Sequence, residues 1–220
     1  MIDFHTHTFL SDGALSPAEH IRRAYCAGYK IIGITDHVDF SNVEFVFNSI
    51  KKIANEIKDS GWDIKVIPGV EITHVPARKI GKIISICKEM GVPLIIVHGE
   101  SPVEPVEKMT NREAIENGAH ILAHPGLITE EDVIRARERG VYLEITAKKG
   151  HNTTNGYVAK LAKKHKAKLV CNSDAHIHTE FLTLDFRNTV LLGSGLEKED
   201  IEIIDNNMKE LAEKFLISSL

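Results

Sequence analysis

Directly after Met1 the sequence runs Ile2-Asp3-Phe4-His5-Thr6-His7 and reaches Ser16-Pro17-Ala18-Glu19 a short loop later. Ile2 to Phe4 reads as a short strand. Ser16-Pro17-Ala18-Glu19 reads as a helix start, with Ser at the N-cap, Pro at the first helical position and Glu at the third. Gly28 ends that helix, and Lys30 to Thr35 follows as an apolar strand of the buried kind. Strand, helix, strand in such quick succession describes a parallel β/α unit.

The rest of the chain repeats the pattern. A helix over about 43–59 carries Phe47, Ile50, Ile53, Ala54 and Ile57 at helical spacing. Ile64 to Ile67 leads into Gly69-Val70-Glu71-Ile72. A helix over about 77–90 stops before Gly91, and Pro93 to Val97 is a strand. Thr110-Asn111-Arg112-Glu113 has the form of a capping box for a short helix ended by Gly118. Ala119 to Ala123 is a strand, Thr129 to Gly140 bounds a helix, and Val141 to Ile145 is a strand. A helix from about Asn155 to His165 precedes the strand Lys168 to Cys171. The last helix, about Lys198 to Leu216, places Ile201, Ile204, Met208, Leu211 and Phe215 on one stripe. Seven strand–helix repeats with short connections predict a parallel α/β sheet, closed or open. No linker or repeat interrupts them, so residues 1–220 read as one domain.

Bulk composition narrows the function. The 220 residues are 43% hydrophobic with a formal net charge of −4, against a broad grip on long nucleic acid or an anionic membrane. No apolar run has the length to cross a bilayer, and the N-terminus lacks a secretion signal. The three cysteines, Cys26, Cys87 and Cys171, form no C-x-x-C pair. They read as reduced, and the chain as cytoplasmic.

Histidine is the anomaly, at 12 residues. His5 and His7 follow the first strand, His37 the second, Glu71 ends the third, and His98 and His124 follow the fourth and fifth. Glu144 lies in the sixth, and Asp174 and His176 follow the seventh. If the sheet closes as a barrel, all these groups meet at its C-terminal face, where such barrels keep their active sites. Residues i and i+2 of a strand point the same way, so His5 with His7, and Asp174 with His176, can each hold one ion. Crowding so many titratable groups without metal leaves polar groups unpaired and like charges together. Nitrogen and oxygen donors without thiolate suit Zn, Mn, Fe or Co. The donors are too many for one ion, and Glu71 is the candidate bridge. Clustered ions point to hydrolysis by a metal-activated hydroxide.

These residues resemble a known family. His5-Thr6-His7-Thr8 with Ser11-Asp12-Gly13, Thr35-Asp36-His37, Gly69-Val70-Glu71-Ile72, His98, Ala123-His124-Pro125 and Ser173-Asp174-Ala175-His176 resemble, in order, the motifs of the PHP (polymerase and histidinol phosphatase) family. The resemblance implies a single distorted (β/α)7 TIM-like barrel and a di- or trinuclear centre of Zn, Mn or Fe. It implies that His5, His7, Glu71 and Asp174 hold one ion and the attacking hydroxide. Glu71, His98 and His124 would hold a second ion, and Asp12, His37 and His176 a third. Some members carry His at the position of Asp12. The implied activity is that of a phosphoesterase, acting on a small phosphomonoester of the histidinol phosphate type.

Other positions carry weaker expectations. Arg78, Lys148 and Lys149, which follow strand ends, and His151 and His178, in loops of the active face, are candidates for substrate contact. His74 is a further candidate for the pocket. Asp36 reads as support for the ligands rather than one of them. Glu144 fits either a hydrogen bond to a ligand histidine or a place in the barrel. His20 and His165 read as solvated helix residues, and His120 falls at the opposite end of the barrel. The rival functions are a nuclease or nucleotide phosphodiesterase using the same cluster, an amidohydrolase, whose barrels also open with H-x-H, and a non-catalytic binding module. The expected partner is a small phosphorylated molecule, with no membrane and no long nucleic acid. The sequence leaves the oligomeric state open.

Overall fold

The computed structural model describes residues 1–218. In chain order the elements begin β1 (Ile2–Asp3), α1 (Pro17–Cys26), β2 (Ile31–Ile34), β3 (His37–Val38), α2 (Val43–Lys58) and β4 (Lys65–Ile72). They continue with α3 (Ile80–Glu89), β5 (Leu94–His98), α4 (Thr110–Glu116), β6 (Ile121–Ala123), α5 (Glu130–Arg139) and β7 (Tyr142–Thr146). The last are α6 (Asn155–His165), β8 (Leu169–Asn172), α7 (Leu184–Gly193) and α8 (Lys198–Ser218).

All pairings are parallel, in the order β1-β2-β4-β5-β6-β7-β8. The short β3 continues the line of β2 after a break at Thr35-Asp36. β2 pairs with Lys65–Pro68, and β3 with Glu71–Ile72. The sheet closes beyond its named ends: Thr6 bridges Ala175, the His7 amide donates to Ala175 O at 2.9 Å, and the Asp174 amide donates to His5 O at 3.0 Å. The result is a nearly closed seven-stranded parallel barrel of the TIM-like kind.

Its strands are apolar on both faces because the barrel interior lies on one side and the helices on the other. Ile32, Ile34, Ile67, Val70, Ile95, Ile96, Val97, Ile121, Leu122, Leu143 and Val170 are fully buried. At the N-terminal end Phe4 meets Phe215 of α8 edge-on, ring centroids 5.6 Å apart. His120 is there too, its Nδ1 accepting from the Ile95 amide. The floor is thus packed and chemically quiet, and the polar groups collect at the other end. Among the described residues no helix is long and apolar enough to cross a membrane.

Ser16 caps α1 by accepting from the Glu19 amide, with Pro17 in the first turn, as the sequence predicts. Two local expectations fail, and one helix has no expectation behind it. Thr110 is the first residue of α4 rather than its cap: Met109 occupies the cap with φ 77°, and the Thr110 hydroxyl donates back to Glu107 O. The helix expected over 77–90 starts as a separate 3-10 turn, Ala77–Lys79, before α3. The helix α7 has no counterpart in the sequence reading. It buries only Arg187 and Leu191 and leaves Leu184, Phe186 and Leu192 exposed, so it shows no apolar stripe.

Candidate metal centre

The closure of the barrel assembles the centre. Pairing of residues 5–7 with 174–175 puts the His5, His7 pair beside Asp174. His7 Nε2 lies 3.2 Å from Asp174 Oδ1, and His5 Nε2 lies 3.2 Å from Glu71 Oε2. Glu71, at the end of β4, is central. Its Oε2 faces His5, His7 at 3.5 Å and His37 at 2.8 Å, while its Oε1 faces His124 at 3.7 Å. One carboxylate thus presents its two oxygens to different imidazoles. Asp12, half-exposed in the loop after β1, reaches His176 Nε2 at 3.2 Å and His37 Nε2 at 3.5 Å.

Donor atoms gather in overlapping groups, each with its atoms within 4.8 Å of one another: His5, His7, Glu71; His7, Asp12, His37, His176; and His98, His124, His151. The nine residues singled out by the sequence therefore converge on one face, with His151 beside them. All of them except Asp12, His37 and His176 are buried.

Outer contacts set the ring orientations. His5 Nδ1 pairs with Glu144 Oε1 at 2.8 Å, His98 Nδ1 with Gly99 O at 3.0 Å, and His176 Nδ1 with Asp174 O at 2.9 Å. Each such contact leaves the other ring nitrogen facing inward, the usual arrangement behind a metal-binding imidazole. Glu144 also accepts from Asn172 Nδ2 at 2.8 Å and the His124 amide at 3.1 Å. Asp36 turns away from the cluster, accepting from the Thr8 amide and hydroxyl and from Ser11 Oγ, each at 2.7 Å. Those bonds shape the loop that delivers Asp12. Gly13 is required beside it, because a Cβ there would lie 2.5 Å from His7 O.

The electrostatics are unbalanced. Burial presses the His5 imidazole down, but Glu71, Glu144 and Asp174 outweigh it and hold its pKa well above the ordinary range. Burial and the neighbouring His37 hold His7 well below that range. Burial pushes the Asp174 carboxyl up to about 6. The ring nitrogens His5 Nε2, His7 Nδ1 and Nε2, and His124 Nδ1, with both oxygens of Glu71, are buried without a hydrogen-bond partner. Buried polar atoms normally find partners, so this many orphans at one point form a donor set that could hold metal ions. His74, His124 and Asp174 also hold positive φ angles of 53°, 26° and 55°. Backbone strain of this kind concentrates at functional sites. Donor chemistry and orphaned atoms both fit divalent cations, and neither buried cysteine competes, since burial pushes the Cys87 and Cys171 thiols up to about 12.

Other expectations meet mixed outcomes. Lys148 is not free: its Nζ pairs with Glu180 at 3.0 Å and lies 2.8 Å from His176 Nδ1. His151 is buried in the cluster rather than in an open loop, its Nδ1 2.7 Å from Ser101 Oγ. Arg78, Lys149 and His178 are exposed. His20, expected to be solvated, is buried against Phe181 with neither ring nitrogen partnered. His165 is partly covered and pairs with Glu130. The sequence reading passes over Glu104, whose Oε2 lies 3.1 Å from His98 Nε2.

Three comparisons with known proteins bear on this arrangement. The profile of the PHP domain matches residues 3–173. An uncharacterised protein of Methanocaldococcus jannaschii is 43% identical over 91% of this chain and 92% of its own length. A protein of Clostridium botulinum named as a probable phosphatase is 28% identical over 98% of this chain and 94% of its own. Among solved structures, a chain in an archaeal ribonuclease P with mature tRNA superposes with a TM-score of 0.68 at 18% identity, covering 97% of this chain and 91% of that one. At that identity the likeness concerns the fold alone.

Proposed function

Since the chain belongs to the PHP domain family, we propose that it is a metal-dependent phosphoesterase, a phosphatase acting on a small phosphomonoester. The observation that carries this reading is the position of Glu71, with one oxygen on His5, His7 and His37 and the other on His124. A carboxylate so placed could serve two neighbouring ions at once. His5, His7, Glu71 and Asp174 would hold the first, Glu71, His98 and His124 the second, and Asp12, His37 and His176 the third. Zn, Mn or Fe suits these donors. Such ions supply Lewis acidity toward phosphoryl oxygens and activate a coordinated water for attack on phosphorus.

The chain's own residues do the positioning. Glu144 keeps the Nδ1 proton of His5 in place, so that Nε2 faces the reacting centre. Asp174 and Glu71, both buried, balance cationic charge beside the barrel wall. Substrate enters on the side of Asp12 and His74, the exposed members of the face, with the partly exposed His37 beside them. Lys148 steadies Glu180, whose Oε2 accepts from the His176 amide at 2.7 Å. Arg78, Lys149 and His178 are exposed and would be contacts for the substrate's charge.

The net charge of −4 favours a small substrate over long nucleic acid. A relative named as a probable phosphatase, aligned over nearly the whole chain, supports the same choice. The test is a substrate panel with protein stripped and reloaded with Mn, Zn or Fe: phosphomonoesters including histidinol phosphate, phosphodiesters, and amides. Turnover of a monoester is the expected result. Turnover of diesters alone would make the protein a nuclease or phosphodiesterase, and turnover of amides alone an amidohydrolase.

A further inference from the structure

The loop between β5 and α4 places a carboxylate over the second group of imidazoles. Glu104 Oε2 lies 3.1 Å from His98 Nε2 and 3.3 Å from His74 Nε2, and its Oε1 lies 3.3 Å from His151 Nε2. His98, His124 and His151 offer ring nitrogens within 4.8 Å of one another. All three are buried, and His124 Nδ1 has no hydrogen-bond partner. The outer nitrogens of His98 and His151 are engaged by Gly99 O at 3.0 Å and Ser101 Oγ at 2.7 Å. Imidazoles anchored from behind, with a carboxylate in front, form a donor set for a divalent cation.

We infer that Glu104 and His151 complete the second metal position, adding a carboxylate and a third imidazole to Glu71, His98 and His124. The inference rests on the metal reading of the cluster. Counting one atom from each residue, that position has five protein donors, and an octahedral ion there keeps one place for water or a phosphate oxygen. Two of the five lie away from strand ends, Glu104 in this loop and His151 in the 3-10 turn after β7. The same loop, through Pro105, Val106 and Glu107, walls a cavity of about 150 Å³ beside His98 and His74. Loading of the second position and the shape of that cavity therefore depend on one segment.

The test reads metal content and chelator competition on the whole protein, independent of activity. Glu104 is about one-third exposed, so Glu104→Gln leaves the core intact. With His151→Gln it is compared against Lys108→Gln, an exposed change in the same loop. Both ligand variants are expected to give up one equivalent of metal per chain at a chelator concentration at least about 10-fold lower than the wild type requires. Lys108→Gln is expected to match the wild type. A structure of the Zn- or Mn-loaded protein should place an ion about 2.0–2.2 Å from a Glu104 oxygen and a His151 nitrogen. Wild-type stoichiometry and affinity in both ligand variants would overturn the inference while leaving the cluster standing. An ion on His98 and His124 with Glu104 apart from it would do the same. A wild-type protein that takes up no metal would overturn both.

Discussion

His5 Nδ1 lies 2.8 Å from Glu144 Oε1, and neither side chain touches solvent. The pair joins the first strand of the barrel to the sixth and decides which nitrogen of His5 is available at the centre. A buried carboxylate behind an imidazole keeps the proton on its own side and raises the basicity of the far nitrogen. Glu144→Gln retains the shape and the contact with Asn172 but removes the charge. It is expected to weaken metal binding by about 10–100-fold with the secondary structure intact. Chelator competition alongside circular dichroism checks this, and an unchanged affinity would reduce Glu144 to a packing role.

Buried histidines outside the cluster set an acid limit on stability. Burial pushes His20 and His120 down to about 4. In the unfolded chain both titrate near 6.5, so the unfolded state binds more protons between these values. The stability they contribute is complete above pH 6.5 and is lost as the pH falls toward 4, at about 1.4 kcal/mol per pH unit for each group. His20→Leu removes one titrating group and two unpartnered nitrogens. Denaturant titrations of stripped protein at pH 7 and pH 5 should show a smaller difference in the variant. A difference equal to the wild type's would mean that His20 is solvated after all.

Apart from Asp12, which only the family resemblance singles out, the metal ligand candidates are legible because each comes at or just past the end of an apolar run, and a parallel barrel brings every such position to one face. The paired spacings at His5, His7 and at Asp174, His176 add a second signal. His20 is buried against expectation: it shares the inward face of α1 with Ile21 and Ala24, and a polar residue there carries no apolar signal of its own. Helix α7 was hidden because Leu184, Phe186 and Leu192 point to solvent and leave no apolar stripe. Glu104 had no local signal. It lies between Pro102 and Pro105 in an irregular loop, and only the approach of that loop to the ends of β5 and β7 brings it onto His98 and His151. The break at Thr35-Asp36 was also unreadable, since it depends on β2 and β3 pairing with different parts of β4.

Metal removal should weaken the fold. Without ions, His5 Nε2, both nitrogens of His7, His124 Nδ1 and both oxygens of Glu71 remain buried and unpartnered. Ions that bind only the folded state add about 2.7 kcal/mol per site at a hundredfold excess over Kd. Denaturant midpoints before stripping, after stripping and after reloading measure this. A stripped protein as stable as the loaded one would mean that the cluster binds no ion in the folded state.

Asp12 differs from its partners in being half-exposed, on a loop rather than a strand. Asp12→Ala is therefore expected to lose one equivalent of metal while the group around His5, His7 and Glu71 keeps its own. Asp12→His should restore the lost equivalent, because an imidazole supplies the same kind of donor. Metal analysis of the two variants decides, and equal metal in Asp12→Ala and the wild type would remove Asp12 from the ligand set.

Metal ions at this cluster are expected to hydrolyse a phosphomonoester, and phosphate release from stripped protein during a Mn or Zn titration checks this. The rate should rise from near zero and level off once two to three equivalents per chain are bound, and Glu71→Gln should stay flat under the same titration. Phosphate release that persists in the stripped protein, or a rate that ignores added metal while metal is demonstrably bound, would contradict it.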